Sequence, residues 1–138
     1  MFRYVEPEVA GGMGDKTVLD ASSHPPLVHR LHYQFDGWLG DDILETFPCY
    51  IVTERLKQGI EGHDLTGVIF DNVIVSRTKT FDKLYPGILL PEFYWLKVIG
   101  IPRKDDFSIS EDYRMVISDE AFTLLKNFNI SNANLEFE

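Results

Sequence analysis

Short apolar runs separated by polar turns make up most of this chain, and only two stretches carry the periodicity of a helix. The clearer stretch has apolar residues at positions i, i+3, i+4 and i+7, which lie on one face of a helix. These positions are Ala121, Leu124, Leu125 and Phe128. The pattern predicts a short amphipathic helix over about 118–128.

A second helix is predicted over about 53–61, where Leu56 and Ile60 share one face. Thr53 is a favourable N-cap because its hydroxyl can accept a hydrogen bond from a free amide of the first turn. Glu54 follows it, where the positive end of the helix dipole favours a negative charge.

The other apolar runs are rich in Val, Ile and aromatic residues, which is typical of strands. They cover residues 31–35, 49–52, 65–76, 91–100, 113–117 and 133–137. Three further stretches have weaker patterns. Residues 1–30 are predicted to be irregular, 42–47 to form one helical turn, and 77–91 to form a loop.

Two segments share one order of residue classes although none of their aligned residues is identical. Residues 49–70 align without gaps on 114–135, and each has an apolar run, a hydroxyl residue, an acid and a helical pattern. An Asp-Asp-apolar triplet precedes each segment, at 41–43 and at 105–107. The common order indicates a strand–helix–strand unit that is used twice.

We therefore predict a single α+β domain over residues 1–138. Its sheet is expected to be mixed or mostly antiparallel, and its two short helices to come from two similar strand–helix–strand units. The units are placed at about 41–76 and 105–138, after the irregular segment 1–30.

Composition narrows the classes of partner. The chain has 13 Lys and Arg against 22 Asp and Glu, for a net charge of −9. Phosphate binding is driven by cations, so this balance argues against nucleic acid and anionic membranes as partners. It suits a protein that meets a basic partner.

Cys49 is the only cysteine, so an internal disulfide and a Cys-x-x-Cys zinc site are both excluded. The first residues have no apolar signal region, and no apolar run is long enough to span a bilayer. We expect a cytoplasmic protein that acts as a monomer or a homodimer.

The hydroxyl–acid pairs pose the main question of chemistry. A catalytic hydroxyl needs a base within reach, and the sequence supplies no such base next to Thr53 or Ser118. An N-cap contributes about 1 kcal/mol to its helix and needs no further partner. We therefore predict that both hydroxyls start helices.

Three other patterns resemble sites of chemistry. Gly11 to Thr17 is similar to a phosphate loop, but Asp15 stands where the loop requires glycine. The S-x-x-K pattern at Ser76 lacks its companion motifs. His24, His29 and His32 could belong to an enzyme or ligand site together with Asp41 or Asp42, although no nearby residue completes a zinc site.

Binding to a protein partner would use other residues. Trp and Tyr dominate interface hot spots, and acidic pairs can dock a basic surface. The candidate partner-binding residues are Trp38, Asp41, Asp42, Tyr94, Asp105 and Asp106. Because strand side chains alternate, Tyr94 and Trp95 are expected to point to opposite faces.

The segments DDFSIS and MVISDEAFTLL, with a weaker copy at VTERL, resemble bacterial polymorphic-toxin immunity proteins of the Imm11-type (DUF1629-like) families. The resemblance covers about the last third of the chain. It implies a protein that neutralises a cognate toxin by forming a stoichiometric complex, without catalytic residues, cofactor or metal. The Cys-x-x-Cys-Gly motifs of some relatives are absent here.

Besides the possibility of a structural subunit of a larger complex, joined through the strand at 91–100, the sequence leaves two functions open. The first is an immunity protein that binds a cognate toxin, which is expected to be basic. The alternative is a small enzyme or ligand-binding domain with a site near His24, His29 or His32 and Asp41 or Asp42.

Overall fold

The hydroxyl–acid pairs start helices, as the sequence predicts. In the computed structural model, which describes residues 1–138, helix α1 spans Glu54–Gly62 and helix α3 spans Asp119–Leu125. The Thr53 Oγ1 atom accepts a hydrogen bond from the Leu56 amide at 3.4 Å, and Ser118 Oγ accepts one from the Ala121 amide at 3.1 Å. Both N-caps are therefore confirmed.

Thirteen strands and one further helix complete the fold. The strands are β1 Phe2–Glu6, β2 Gly11–Met13, β3 Val18–Asp20, β4 Leu27–Arg30, β5 His32–Phe35, β6 Ile43–Thr46, β7 Cys49–Thr53, β8 Val68–Asp71, β9 Ile74–Arg77, β10 Phe93–Val98, β11 Phe107–Ile109, β12 Met115–Ser118 and β13 Asn134–Phe137. The remaining helix is α2, Lys79–Leu84. The α+β single domain is confirmed, and none of the three helices is long and apolar enough to cross a bilayer.

Two four-stranded antiparallel sheets have the same construction. The first sheet has the order β6-β7-β10-β8, and the second has the order β11-β12-β1-β13. In each sheet, the first two strands of the order form a hairpin that leads into the capped helix. The strand that follows the helix in the chain is fourth in the order. The third strand lies between this strand and the hairpin. The first unit supplies its own third strand, β10, whereas the second unit takes β1 from the start of the chain.

The strand registers of the two sheets also agree. Phe93 lies opposite Thr53 in the first sheet, and Phe2 lies opposite Ser118 in the second. The following strands keep the same offset, since Trp95 pairs with Asp71 and Tyr4 with Glu136. The two units therefore match residue by residue over four strands and one helix.

The inner faces of both sheets and the helices α1 and α3 enclose the larger hydrophobic core. The first sheet contributes Ile43, Tyr50, Val52 and Leu96, and the second contributes Val5, Phe107, Met115 and Ile117. The two helices meet at Gly59, where a Cβ would lie 3.6 Å from Leu124 of α3 and 2.9 Å from the ring of Phe128, just after α3. Glycine is thus required for the close approach of that ring to α1.

A second core lies on the outer face of the first sheet. Strands β2, β5 and β9 form a small sheet over it, in which β5 and β9 are parallel, and helix α2 adds Phe81. Tyr33 and Phe35 pack here against Phe93 and Trp95. This added layer belongs to the first unit alone.

Several local predictions were wrong. Residues 1–30 contain four strands, and β1 is the third strand of a sheet. Residues 43–46 form strand β6, because pairing with β7 satisfies their backbone and their alternate side chains enter two different cores. Residues 79–84 form α2, a third helix, whose N-cap hydroxyl is that of Thr78.

Candidate functional site

The acidic pair at Asp41 and Asp42 lies inside the protein, so the prediction that it docks a partner is corrected. Their exposed fractions are 0% and 2%. The Asp41 carboxylate accepts two hydrogen bonds of 2.9 Å from the backbone N–H and the side-chain amide of Asn132. Both carboxylates therefore hold the chain together and offer no docking charge.

Asp42 is held by four donors. Thr53 Oγ1 donates at 2.6 Å, Arg55 Nε at 2.8 Å and the Asn129 backbone N–H at 2.7 Å, while Arg55 Nη2 adds a second guanidinium bond. Burial alone would raise the pKa of Asp42, but the hydrogen bonds from Arg55, Thr53 and Asn129 outweigh it and lower that pKa. The ionised carboxylate joins the start of α1 to the segment after α3.

Asp106 occupies the equivalent place in the second unit. Its carboxylate accepts from Ser118 Oγ at 2.6 Å and from the Thr66 backbone N–H at 2.8 Å, which joins the start of α3 to the segment after α1. Asp105 accepts from the Ile101 N–H at 2.7 Å. Because these half-buried groups serve internal contacts, we exclude them from the candidate surface.

The buried histidine forms a contact that resembles part of a catalytic triad. His32 Nε2 lies 2.7 Å from Ser76 Oγ, and Asp15 Oδ1 lies 3.6 Å from His32 Nδ1. However, Nδ1 accepts a hydrogen bond from the Lys16 N–H at 3.2 Å, so the proton of the neutral ring is on Nε2 and points to Ser76. A general base needs the opposite tautomer, and this geometry therefore favours a structural role.

The other histidines do not join this contact. His24 stacks on Phe47 and lies edge-on to Tyr113, and His29 is exposed on β4. No group of three or more His, Cys, Asp and Glu side chains has the arrangement of a metal site. The alternative site built from the histidines with Asp41 or Asp42 is thus not assembled, because the carboxylates bond to residues 129–132 instead.

Trp38 lies between two open pockets and is the centre of the candidate site. Its indole Nε1 donates to the Asp41 carbonyl at 2.9 Å, and its ring meets Phe93 edge-on at 5.9 Å. The side chain is half-buried, and it lines both pockets. These contacts fix the indole in one orientation at the surface, as the anchor of an interface requires.

The first pocket has a volume of about 390 Å³, and we call it the Glu8 pocket. Its lining residues include the acids Glu8 and Asp36 and the aromatic residues Trp38 and Tyr85, and they include no Lys or Arg. At its rim Val9 and Leu39 are 67% and 63% exposed.

The second pocket, of about 350 Å³, lies on the other side of Trp38. Its wall contains the exposed acids Glu54 and Glu92, and its one cation, Arg55, is already paired with Asp42. Tyr94 lies next to it and donates its hydroxyl to Glu92 at 2.8 Å, an arrangement that raises the pKa of Tyr94. As expected, Trp95 points the other way and is buried.

We call the surface formed by the two pockets and Tyr94 the Trp38 surface. Of the residues predicted to bind a partner, Trp38 and Tyr94 belong to it by exposure and position. Four further residues of this surface are not predicted by the sequence, namely Glu8, Glu54, Tyr85 and Glu92. The one available signal was the acidic and aromatic stretch at 92–95, whereas the meeting of residues 8, 36–38 and 85 depends on the fold.

Comparison with known proteins does not assign the chain to a family. No protein-family model matches the chain, and no curated protein matches it in sequence.

Proposed function

We propose that this chain is an immunity protein, which binds a bacterial toxin made by the same organism and neutralises it by forming a stoichiometric complex in the cytoplasm. The observation that supports this proposal best is the Trp38 surface. It combines an anchored indole, exposed apolar rim residues and two acid-lined pockets with no unpaired cation in their walls. Such a surface suits a basic protein partner.

The charge of the whole chain supports the same partner. A net charge of −9 accelerates encounter with a basic protein and disfavours nucleic acid. Toxins that attack nucleic acids carry basic surfaces, so an acidic protein that covers such a surface would also block access to the substrate.

The residues that carry the family resemblance have structural roles in this chain. In DDFSIS and MVISDEA, Asp106 and Ser118 form the cap of α3. They specify the fold of the second unit, whereas the Trp38 surface belongs to the first. The functional proposal therefore depends on that surface and is tested there.

If an adjacent gene encodes a toxin domain, as the proposal requires, co-expression with that domain is the direct test. We expect the chain to restore growth and to co-purify with the toxin in equal amounts. A matched pair of variants locates the interface, since Glu54→Lys and Glu120→Lys both replace an exposed acid in the first turn of a capped helix.

Only Glu54 lines the Trp38 surface. We expect Glu54→Lys to slow association about tenfold at low salt, because a like charge then faces the basic partner, whereas Glu120→Lys should leave the rate unchanged. Equal rates for the two variants would remove this surface from the interface. Failure to restore growth together with failure to co-purify would refute the immunity function.

A further inference from the structure

Glu8 is a buried carboxylate with an unsatisfied oxygen. The residue is 7% exposed, and its Oε2 atom accepts a hydrogen bond from the Leu39 N–H at 2.9 Å. The Asp41 N–H stabilises the same carboxylate from further away. The Oε1 atom has no hydrogen-bond partner and no contact with solvent. Buried polar atoms nearly always have a hydrogen-bond partner, so the unpaired Oε1 atom requires an explanation.

Burial also makes this carboxylate costly to ionise in the free protein. Desolvation raises the pKa of Glu8, and the charge of Asp41 acts in the same direction, against the Leu39 hydrogen bond. No side chain of this chain supplies a compensating cation. A cationic donor from outside would offset both the missing hydrogen bond and the unpaired charge.

The rest of the pocket suits a planar cation. Trp38 and Tyr85 present aromatic rings, which attract cations through their faces, and Asp36 adds a second, exposed carboxylate. Tyr85 packs closely on the backbone of Gly37, where a Cβ would lie 3.2 Å from the ring. This contact fixes the distance between the segment that carries Trp38 and the Tyr85 ring.

We propose that the Glu8 pocket receives one arginine side chain of the protein partner, with the guanidinium donating to Glu8 Oε1 and lying against Trp38. This assignment rests on the proposed function, because it names the residue that a toxin would present. A guanidinium is preferred over an ammonium because it has five donors in one plane, is weakly hydrated and stacks on aromatic rings. Oε1 is closed to water in the free protein, so the guanidinium reaches it only when residues that line the pocket move.

The pocket can be tested without the toxin. Acetyl-arginine amide is titrated into the labelled protein, and the Trp38 indole N–H and the Leu39 amide are followed by NMR. We expect saturable shifts at both groups with a dissociation constant on the order of 1–10 mM, which is usual for a ligand with one anchoring group. Acetyl-lysine amide should bind more weakly, and the uncharged acetyl-citrulline amide should not bind.

Glu8→Gln provides the specific variant. Gln keeps an acceptor for the Leu39 N–H but removes the negative charge, so we expect about tenfold weaker arginine binding, because the guanidinium then meets a neutral acceptor instead of a carboxylate. Glu45→Gln, at a partly buried carboxylate outside the pocket, is the control and should leave binding unchanged. An unchanged amide spectrum away from the pocket checks that each variant is folded.

Each outcome decides one of the two proposals. No saturable shift at ten times the expected constant, or equal shifts with arginine and citrulline amides, overturns the arginine pocket. Undiminished toxin binding by Glu8→Gln also overturns it and leaves the immunity function standing. Arginine binding that depends on Glu8, in a protein that captures no toxin, supports the pocket and refutes the immunity function.

Discussion

The two units share a backbone, although no residue of 49–70 is identical to its aligned partner in 114–135. Four strands in the same register and one capped helix recur, with Thr53 replaced by Ser118 and Ile51 by Val116. What the units keep is the class of residue at the capping and core positions: a carboxylate that binds the cap hydroxyl, a small hydroxyl residue as the cap, and apolar residues facing the core. The comparison teaches that these few constraints specify the unit, because packing tolerates apolar exchanges when pattern and volume are preserved.

The units differ on the outer faces of their sheets. The first unit has Leu44, Cys49 and Trp95 where the second has Ser108, Arg114 and Tyr4. The apolar set is covered by the small sheet and α2, whereas Arg114 in the second unit stacks on Tyr4 at 3.6 Å. Because the added layer also supplies Asp36 and Tyr85, the candidate binding surface belongs to the region in which the two units are least alike.

The largest expected difference in stability is between variants of Asp42 and Asp106, whose carboxylates accept from the two cap hydroxyls. Asp42→Ala should lower the free energy of unfolding by about 3–4 kcal/mol, because the buried Thr53 hydroxyl, the Asn129 N–H and Arg55 all lose their acceptor. Asp106→Ala should cost about 1–2 kcal/mol, since Asp106 is half-buried and has no cationic partner. Urea unfolding at neutral pH measures both.

Acid provides a check on the same pair. The folded-state pKa of Asp42 is lowered, so its stabilisation is complete above the unfolded pKa, which is near 4, and is lost as pH falls through the folded value. The difference between wild type and Asp42→Asn should therefore shrink below about pH 4. Equal costs for Asp42→Ala and Asp106→Ala would show that burial and Arg55 do not distinguish the two units.

A cation and an aromatic ring exchange places between the units. In the first, Lys57 on the helix lies 4.9 Å from the Tyr94 ring, and in the second, Arg3 on the strand lies 4.1 Å from the Phe122 ring on the helix. Arg3 also donates to Asp119 at 2.6 Å. We expect Arg3→Ala to cost about 2 kcal/mol and Lys57→Ala about 1 kcal/mol.

Double-mutant cycles separate the ring contact from the ion pairs. The coupling of Arg3 with Phe122 should be about 1 kcal/mol, and that of Lys57 with Tyr94 about half as much, because the arginine is closer to its ring and better suited to stacking. Coupling near zero in both cycles would mean that neither contact between a cation and a ring contributes to the free energy of unfolding.

The sequence predicts the parts of this fold that depend on residues close together in the chain. The caps at Thr53 and Ser118 and the strand of Tyr94 and Trp95 were predicted, since each depends on neighbours in the chain. The role of β1 was not, because its partners are more than a hundred residues away. The sequence predicts a helical turn at 42–47 where 43–46 form a strand, because their apolar spacing fits both structures and only the pairing with β7 decides between them.

The site was harder to predict than the fold. Trp38 and Tyr94 are residue types that favour interfaces, and both lie at the candidate surface. Charge alone points to the acidic pairs, and burial removes Asp41 and Asp42 from any docking face. Glu8 gave no signal, because its burial and its unpaired oxygen result from contacts with residues some thirty positions away.

The two N-caps should be of similar strength and independent of each other. Thr53→Ala and Ser118→Ala each remove an acceptor for a helix amide and a donor to a carboxylate, so we expect a loss of about 1–2 kcal/mol for each. The double variant should lose the sum, because each hydroxyl bonds within its own cap. A large departure from additivity in thermal or urea unfolding would mean that the helices fold as one element across their contact at Gly59.

An effect of the opposite sign is expected at Glu45, which has Ile109 as its counterpart in the second unit. Burial, with a smaller contribution from Glu6, raises the pKa of Glu45 to about 7 from its ordinary 4.5. The unfolded chain loses this proton first as pH rises, so the protein loses stability between these two values and does not regain it above pH 7. Glu45→Gln should therefore be more stable than wild type by about 1 kcal/mol at pH 8, a figure reduced because the side chain is partly exposed, and equally stable at pH 4. Glu6→Gln should give a smaller gain in the same direction, and a gain for Glu45→Gln that does not vary with pH would show that the charge of Glu45 is not its cause.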